Sequence, residues 1–320
     1  MIGRSLAKDK NDQAKLRHGR SVHEGIVVNG EFGQFSPFFF NREGANLNLV
    51  GQYRGASAFL IGGGPSFTSC DRTGLNRVWT MTLNNAISSW RSNSNCIVDD
   101  PSRFNLSMWR DPRVQKFVPM AHFEKPLWDN RCLVINDAEV NQWEPSPLKV
   151  GDCPNVIGYR RNEKFHASRW LYEETINWGN HAKYGGGRSV LLASLRILYL
   201  LGFRHVYLLG IDFDMTPERK YHFPEERSAS SIRGNMSTFN KLQAWFKELQ
   251  PYFLEAGFVV RNCNPDSGLK AFPSISYEEA LKEATGHLGS YERERTSGMY
   301  RKFQEKLGEK QGAETSSDEH

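Results

Sequence analysis

The sequence predicts an α/β fold with a mostly parallel sheet flanked by helices, and three observations predict it. Four apolar residues, Ala58-Phe59-Leu60-Ile61, run directly into Gly62-Gly63-Gly64-Pro65-Ser66. Further short apolar runs follow, each ended by small or polar residues, as the ligand-facing ends of parallel strands tend to be. A glycine-led helix over 189–201 then precedes 205–212, a run apolar enough to be buried on both faces of a sheet.

The composition agrees with a globular chain: 39% hydrophobic and 24% charged residues over 320 positions, enough for one full core with trimmings. A formal net charge of +5 is mild. It suits an anionic ligand such as a sugar nucleotide and leaves nucleic acid open. The longest apolar run, 190–203, is broken by Ser194 and Arg196, so no membrane span is expected. The charged N-terminus lacks the apolar core of a signal peptide. Five cysteines, odd in number and without metal-like spacing, read as reduced thiols. A cytoplasmic location follows from that reading.

Taken in order, residues 1–20 carry six Lys or Arg against two Asp and read as a basic, solvated arm; a nucleic-acid arm is the sharper alternative. The aromatic stretch 32–40 is expected to pack back as a strap, closing a segment 1–55. Strands are expected at 58–62, 78–83, 95–99 and 131–136, with a short helix and loop over 103–117. Residues 137–183, rich in Trp, Tyr and Pro, suit an irregular lid insertion or a loop-rich flank. Tyr184-Gly185-Gly186-Gly187-Arg188-Ser189 opens the helix that Gly202 stops. The stretch 213–235 is polar. A helix is expected over 239–250, where Leu242, Trp245, Phe246 and Leu249 share a face, with Pro251 ending or kinking it. A last strand at 258–262 precedes Cys263-Asn264-Pro265-Asp266-Ser267-Gly268, then a helix over 277–284. The domain is drawn at 56–283, and 284–320 is a charged tail.

The loop Gly62-Gly63-Gly64-Pro65-Ser66 reads as a phosphate cradle, because a chain without Cβ atoms lets a ligand reach the peptide N–H groups. It is neither standard cradle. Phe67 stands where a dinucleotide fingerprint needs its third glycine, and no lysine follows as in a P-loop. An ordinary glycine turn is the plain alternative. The loop at Gly186, Gly187, Arg188 and Ser189 is expected to face it from the second half of the chain, with Asp212 at the tip of the strand that follows its helix.

Four stretches in order carry a resemblance: Ile-Gly-Gly-Gly-Pro-Ser at 61–66, the strand end at Asn84, Gly-Gly-Arg-Ser through Gly-Ile-Asp-Phe over 186–213, and Asn-Cys-Asn-Pro-Asp-Ser-Gly-Leu at 262–269. Over 56–282 the chain resembles bacterial sialyltransferases of the lipooligosaccharide type. It also resembles a related Rossmann-like family that includes archaeal hydroxymethylpterin diphosphokinases. The resemblance implies a Rossmann-like domain, no metal and no further cofactor, with a CMP-linked sugar as donor. It places Gly62, Gly64, Ser66 and Asn84 on the nucleotide, and Gly186, Gly187 and Ser189 in the second loop. Tyr221 matches one of two tyrosines that assist the departing phosphate, while Asp214 stands at the other. The family's base histidine has no counterpart, since Gly234-Asn235 occupy its place.

Glycosyl transfer with inversion needs a base for the acceptor hydroxyl and stabilisation of the leaving phosphate. His222 is the candidate base, because imidazole titrates near neutrality; a surface histidine in a polar loop is the alternative. Asp100 and Asp212 are the acidic alternatives. Asp212 is expected to bond N–H groups of the loop that follows it. The pair Asp99-Asp100 invites a metal reading, but neighbours on a strand point to opposite faces, and no metal is assigned. Arg188 and Tyr221 are the expected phosphate partners. Asn264 and Ser267 line the nucleotide or form an Asx-type turn. The expectation is therefore a glycosyltransferase using a nucleotide-sugar donor and an acceptor hydroxyl on a glycan or a modified DNA base. The alternatives are an Mg²⁺- and ATP-dependent diphosphokinase acting on a pterin-like alcohol, and a nucleic-acid-binding or assembly module without catalysis.

Overall fold

Alternating apolar side chains set each central strand between two covered faces. In β2 (Ser57–Ile61), Ala58 and Leu60 enter one cluster of buried side chains and Phe59 and Ile61 another. In β9 (His205–Leu209), Val206 and Leu208 join the first, Tyr207 and Leu209 the second. Burial on both faces is the mark of a parallel strand. The computed structural model describes residues 38–135, 138–159, 189–216, 221, 228–289, 293 and 295. It is a mixed α/β fold on an eight-stranded, mostly parallel sheet ordered β1-β8-β5-β4-β3-β2-β9-β10. The other strands are β1 (Phe39–Phe40), β3 (Trp79–Leu83), β4 (Ser94–Cys96), β5 (Gln115–Pro119), β8 (Val156–Tyr159) and β10 (Val259–Asn262). Only β1 runs antiparallel to its neighbour, with Phe39 opposite Tyr159. The chain divides into two units, Met1–Ala284, which holds the sheet, and Thr285–His320.

One face of the sheet is covered by α2 (Val190–Leu201) and α3 (Ala229–Glu255); α1 is the single turn Leu106–Arg110. Ser189 caps α2 by accepting the Leu192 N–H at 3.1 Å, and Gly202 ends it at φ +108°, the left-handed conformation glycine adopts without penalty. Residues Leu242, Phe246, Leu249 and Phe253 give α3 its buried stripe. On the opposite face, α4 (Tyr277–Thr285) sets Tyr277 and Ala280 over Phe59 and Tyr207. Beside it, Ile97 and Val118 are covered by Phe104, Trp109, Leu127 and Val150.

Several expectations change. The connections β2–β3 and β3–β4 are 3₁₀ turns (Pro65–Ser69, Thr73–Arg77, Asn84–Ser88), so the sheet has fewer flanking helices than predicted. The apolar run at 131–136 is not a core strand. It belongs to β6 (Pro126–Ile135), which pairs antiparallel with β7 (Ala138–Lys149) in a separate two-stranded ribbon. The parallel strand after β4 is instead β5, which begins within the stretch 103–117 expected as helix and loop and runs two residues beyond it. Part of the expected lid, 138–159, is ribbon and sheet, while 160–183 lies outside the described residues. The helix expected from 239 begins at Ala229, because the Ser228 hydroxyl caps it through the Ser231 N–H. Pro251 lies inside that helix rather than ending it. The aromatic strap packs back at Phe38, Phe39 and Phe40, all buried.

Candidate functional site at the strand-order reversal

The carboxyl ends of the parallel strands share one edge of the sheet. Successive strands step away from β2 on one side through β3, β4, β5 and β8, then return to its other side as β9 and β10. Such a reversal leaves a crevice between the diverging loops, and in open α/β sheets ligands bind there. Here β2 pairs with β9 from Ser57 opposite His205 to Ile61 opposite Leu209.

Three loops meet at this point: 62–66, 210–213 and 262–268. The Gly62 N–H donates to the Leu209 carbonyl at 2.8 Å and the Gly64 N–H to the Gly210 carbonyl at 2.7 Å. A Cβ on Gly62 or Gly64 would stand 2.6 or 2.7 Å from the Gly210 oxygen, so the glycines admit a second backbone. Gly210 itself turns at φ +61°.

Asp212 is buried and accepts from the Ser66 N–H at 3.0 Å, from the Ser66 hydroxyl, and from Asn264 Nδ2 at 2.9 Å. It thus bonds the first glycine loop across the sheet, not the loop that follows it. Among the described residues no cation pairs with it. Ser267, also buried, donates to the Ile211 carbonyl at 2.6 Å, and the Gly268 N–H reaches the Asp212 carbonyl at 2.7 Å. Asn264 Oδ1 accepts the Asp266 N–H at 3.0 Å, an Asx turn. Ser66, Asp212, Asn264 and Ser267 therefore form one interlocked group.

This group differs from the predicted cradle. The N–H groups of Gly62, Gly64 and Ser66 are spent inside the protein, and Pro65 has none. A phosphate seated at the Ser66 N–H would meet the Asp212 carboxylate already bound there. Among the described residues, Gly63 carries the N–H of this loop that is left for a ligand.

At the next strand end, Asn84 takes φ +47° and spans β3 and β4. Its Nδ2 donates to Asp99 Oδ2 at 3.1 Å and its Oδ1 accepts the Val98 N–H at 3.1 Å. Asp100 caps the turn Pro101–Arg103 by accepting from the Ser102 N–H at 3.1 Å and hydroxyl at 2.9 Å, and it pairs with Lys125 at 2.7 Å. Partial burial pushes its pKa up, but the bonds from Lys125 and Ser102 outweigh this and hold the carboxyl down at about 2. A carboxylate so acidic is a poor base near neutrality.

Ser189 caps a helix, Tyr221 is half-buried, and Gly186, Gly187, Arg188 and His222 lie outside the described residues. Sequence reasoning missed two groups at this edge. His122, buried, sits in the turn after β5 and went unremarked because β5 itself was not recognised. Asp99 differs from Asp100 in its partners, Asn84 against Ser102 and Lys125, which the sequence does not show. Phe213 adopts φ +51°, costly for a bulky side chain, and stacks on Phe239 at 4.6 Å. Among the described residues no group of three His, Cys, Asp or Glu converges as a metal-ligand set. No helix among them is long and apolar enough to cross a membrane. In comparisons with known proteins, no family model, no curated protein and no solved structure matches this chain.

Proposed function

We propose that this chain is a Rossmann-like glycosyltransferase that moves a sugar from a nucleotide-sugar donor to an acceptor hydroxyl, inverting the anomeric centre without metal. The observation that carries this reading is the convergence of three loops, 62–66, 210–213 and 262–268, at the point where the strand order reverses. The open Gly63 N–H is the group there suited to a phosphate oxygen. The ordered resemblance of the same loops to the sialyltransferases names the donor class, CMP-linked.

A thermal-shift panel of CMP, UDP, GDP, ADP and ATP, each with and without Mg²⁺, tests it. A ligand of the folded state at one hundred times its Kd adds about 2.7 kcal/mol of stability. The reading expects CMP or another sugar-carrying nucleotide to raise Tm equally with and without Mg²⁺. Stabilisation by ATP only with Mg²⁺ would move the assignment to the diphosphokinase class. Salt-dependent DNA binding with no nucleotide effect would move it to a nucleic-acid module.

A further inference from the structure

An inverting transfer at this crevice requires a base, and the residues the sequence offers do not supply one among the described positions. Asp212 follows β9, with Asp214 two residues further on and half-buried, and Asp99 and Asp100 follow β4. A carboxylate has about four lone-pair sites for hydrogen bonds. Asp212 spends its oxygens on three donors and is buried. Asp100 spends its own on Ser102 and Lys125, holding a turn together. Asp99 is half-exposed and accepts one hydrogen bond, from Asn84. Its remaining lone pairs are available to a substrate.

Its place along the edge also fits. The strands run β9, β2, β3, β4, so their ends carry in turn Asp212, the glycine loop, Asn84 and Asp99. Neighbouring strands lie about 4.8 Å apart, so the end of β4 is about 10 Å from the glycine loop. A donor with its phosphate at Gly63 and its sugar lying over β3 would bring its anomeric carbon toward the end of β4. Asn84, which the resemblance places on the nucleotide, has its side-chain oxygen and one amide proton engaged in holding the β4 end.

Resting on the glycosyltransferase reading, we propose that Asp99 is the general base of the transfer. Its carboxylate takes the proton of the acceptor hydroxyl while that oxygen forms a bond to the anomeric carbon. The bond from the anomeric carbon to the phosphate oxygen breaks, and the nucleotide leaves with the electron pair. The proton on Asp99 then passes to solvent. Atoms and charge balance with donor and acceptor alone.

The test uses the full chain and the CMP-, UDP- or GDP-sugar that stabilises it, following nucleotide release with water or added acceptor. Asp99→Asn retains an oxygen for the Asn84 amide, so Tm is expected to hold while kcat falls about 100-fold or more, within the usual range for a lost general base. Donor KM should stay within about threefold of wild type, since binding is not the base's task. Asp99→Glu, which keeps the carboxylate one methylene further out, should fall between the two. Turnover of Asp99→Asn within about threefold of wild type overturns the assignment, as does a loss seen in Asp100→Asn and not in Asp99→Asn. A panel in which no nucleotide sugar binds or releases its nucleotide overturns the transferase reading, and the base with it.

Discussion

At Gly64 the absent side chain is filled by other parts of the protein. A Cβ there would lie 2.6 Å from Asp212 Cγ and 2.7 Å from the Gly210 oxygen, both on a loop tied down by Asn262, Asn264 and Ser267. Gly64→Ala should therefore destabilise the fold by about 1–3 kcal/mol, as overpacking does, measured by urea unfolding. An unchanged midpoint with lost nucleotide binding would instead mean that the glycine clears space for ligand. Three consecutive glycines told correctly that something comes close to this backbone. They carried no information on what, because a phosphate oxygen and a neighbouring carbonyl need the same clearance. Asp99 and Asp100 make the related point: their types are identical, and only the partners Ser102, Lys125 and Asn84 separate them.

Elements were legible where pattern and burial coincide. The apolar run of β2, the α2 stretch with Ser189 before and Gly202 after it, and β10 fall within a residue or so of their predicted bounds, while β9 starts where predicted and ends at Leu209, short of the expected 212. β5 was not legible, because Gln-Lys-Phe-Val-Pro reads as a polar, proline-ended loop. Its Lys116 is buried only because the ammonium reaches the nearby carbonyl of Asp111 at 2.5 Å and, 38 residues along the chain, that of Pro154 at 2.8 Å. The run at 131–136 shows the converse, since an apolar pattern announces a strand without naming its sheet. Two predictions belong here. Ser189→Ala should lower stability by about 1 kcal/mol, the usual worth of a cap, and leave nucleotide affinity unchanged; a fall in affinity at constant stability would restore Ser189 to the donor site. Pro251→Ala should stabilise α3 by about 1–3 kcal/mol, since an interior proline forfeits a helix bond and clashes with the preceding turn. A lower Tm would mean that the proline itself is needed to seat Phe253, which stacks on Phe272.

For the molecule as a whole, the informative range is alkaline, where two influences on stability oppose each other. Burial pushes the Lys116 pKa down to about 8, so above that pH the folded chain holds fewer protons than the unfolded one, whose lysine titrates near about 10.4. Stability from this group therefore rises with pH across that window. Burial pushes Cys263 up to about 12 and also raises Cys70 and Cys153. Their unfolded thiols lose protons from about pH 8.5, so these groups lower stability as pH rises. Lys116→Met removes the first influence and keeps the second. The unfolding free energy of this variant should thus decline more steeply than that of wild type between pH 8 and 10.5, measured by urea titration under reducing conditions. The gap between the two proteins should grow in favour of wild type throughout the window. A gap independent of pH would show that the Lys116 ammonium is as well solvated by its two carbonyls as by water, and that the interior beneath β5 carries no electrostatic penalty.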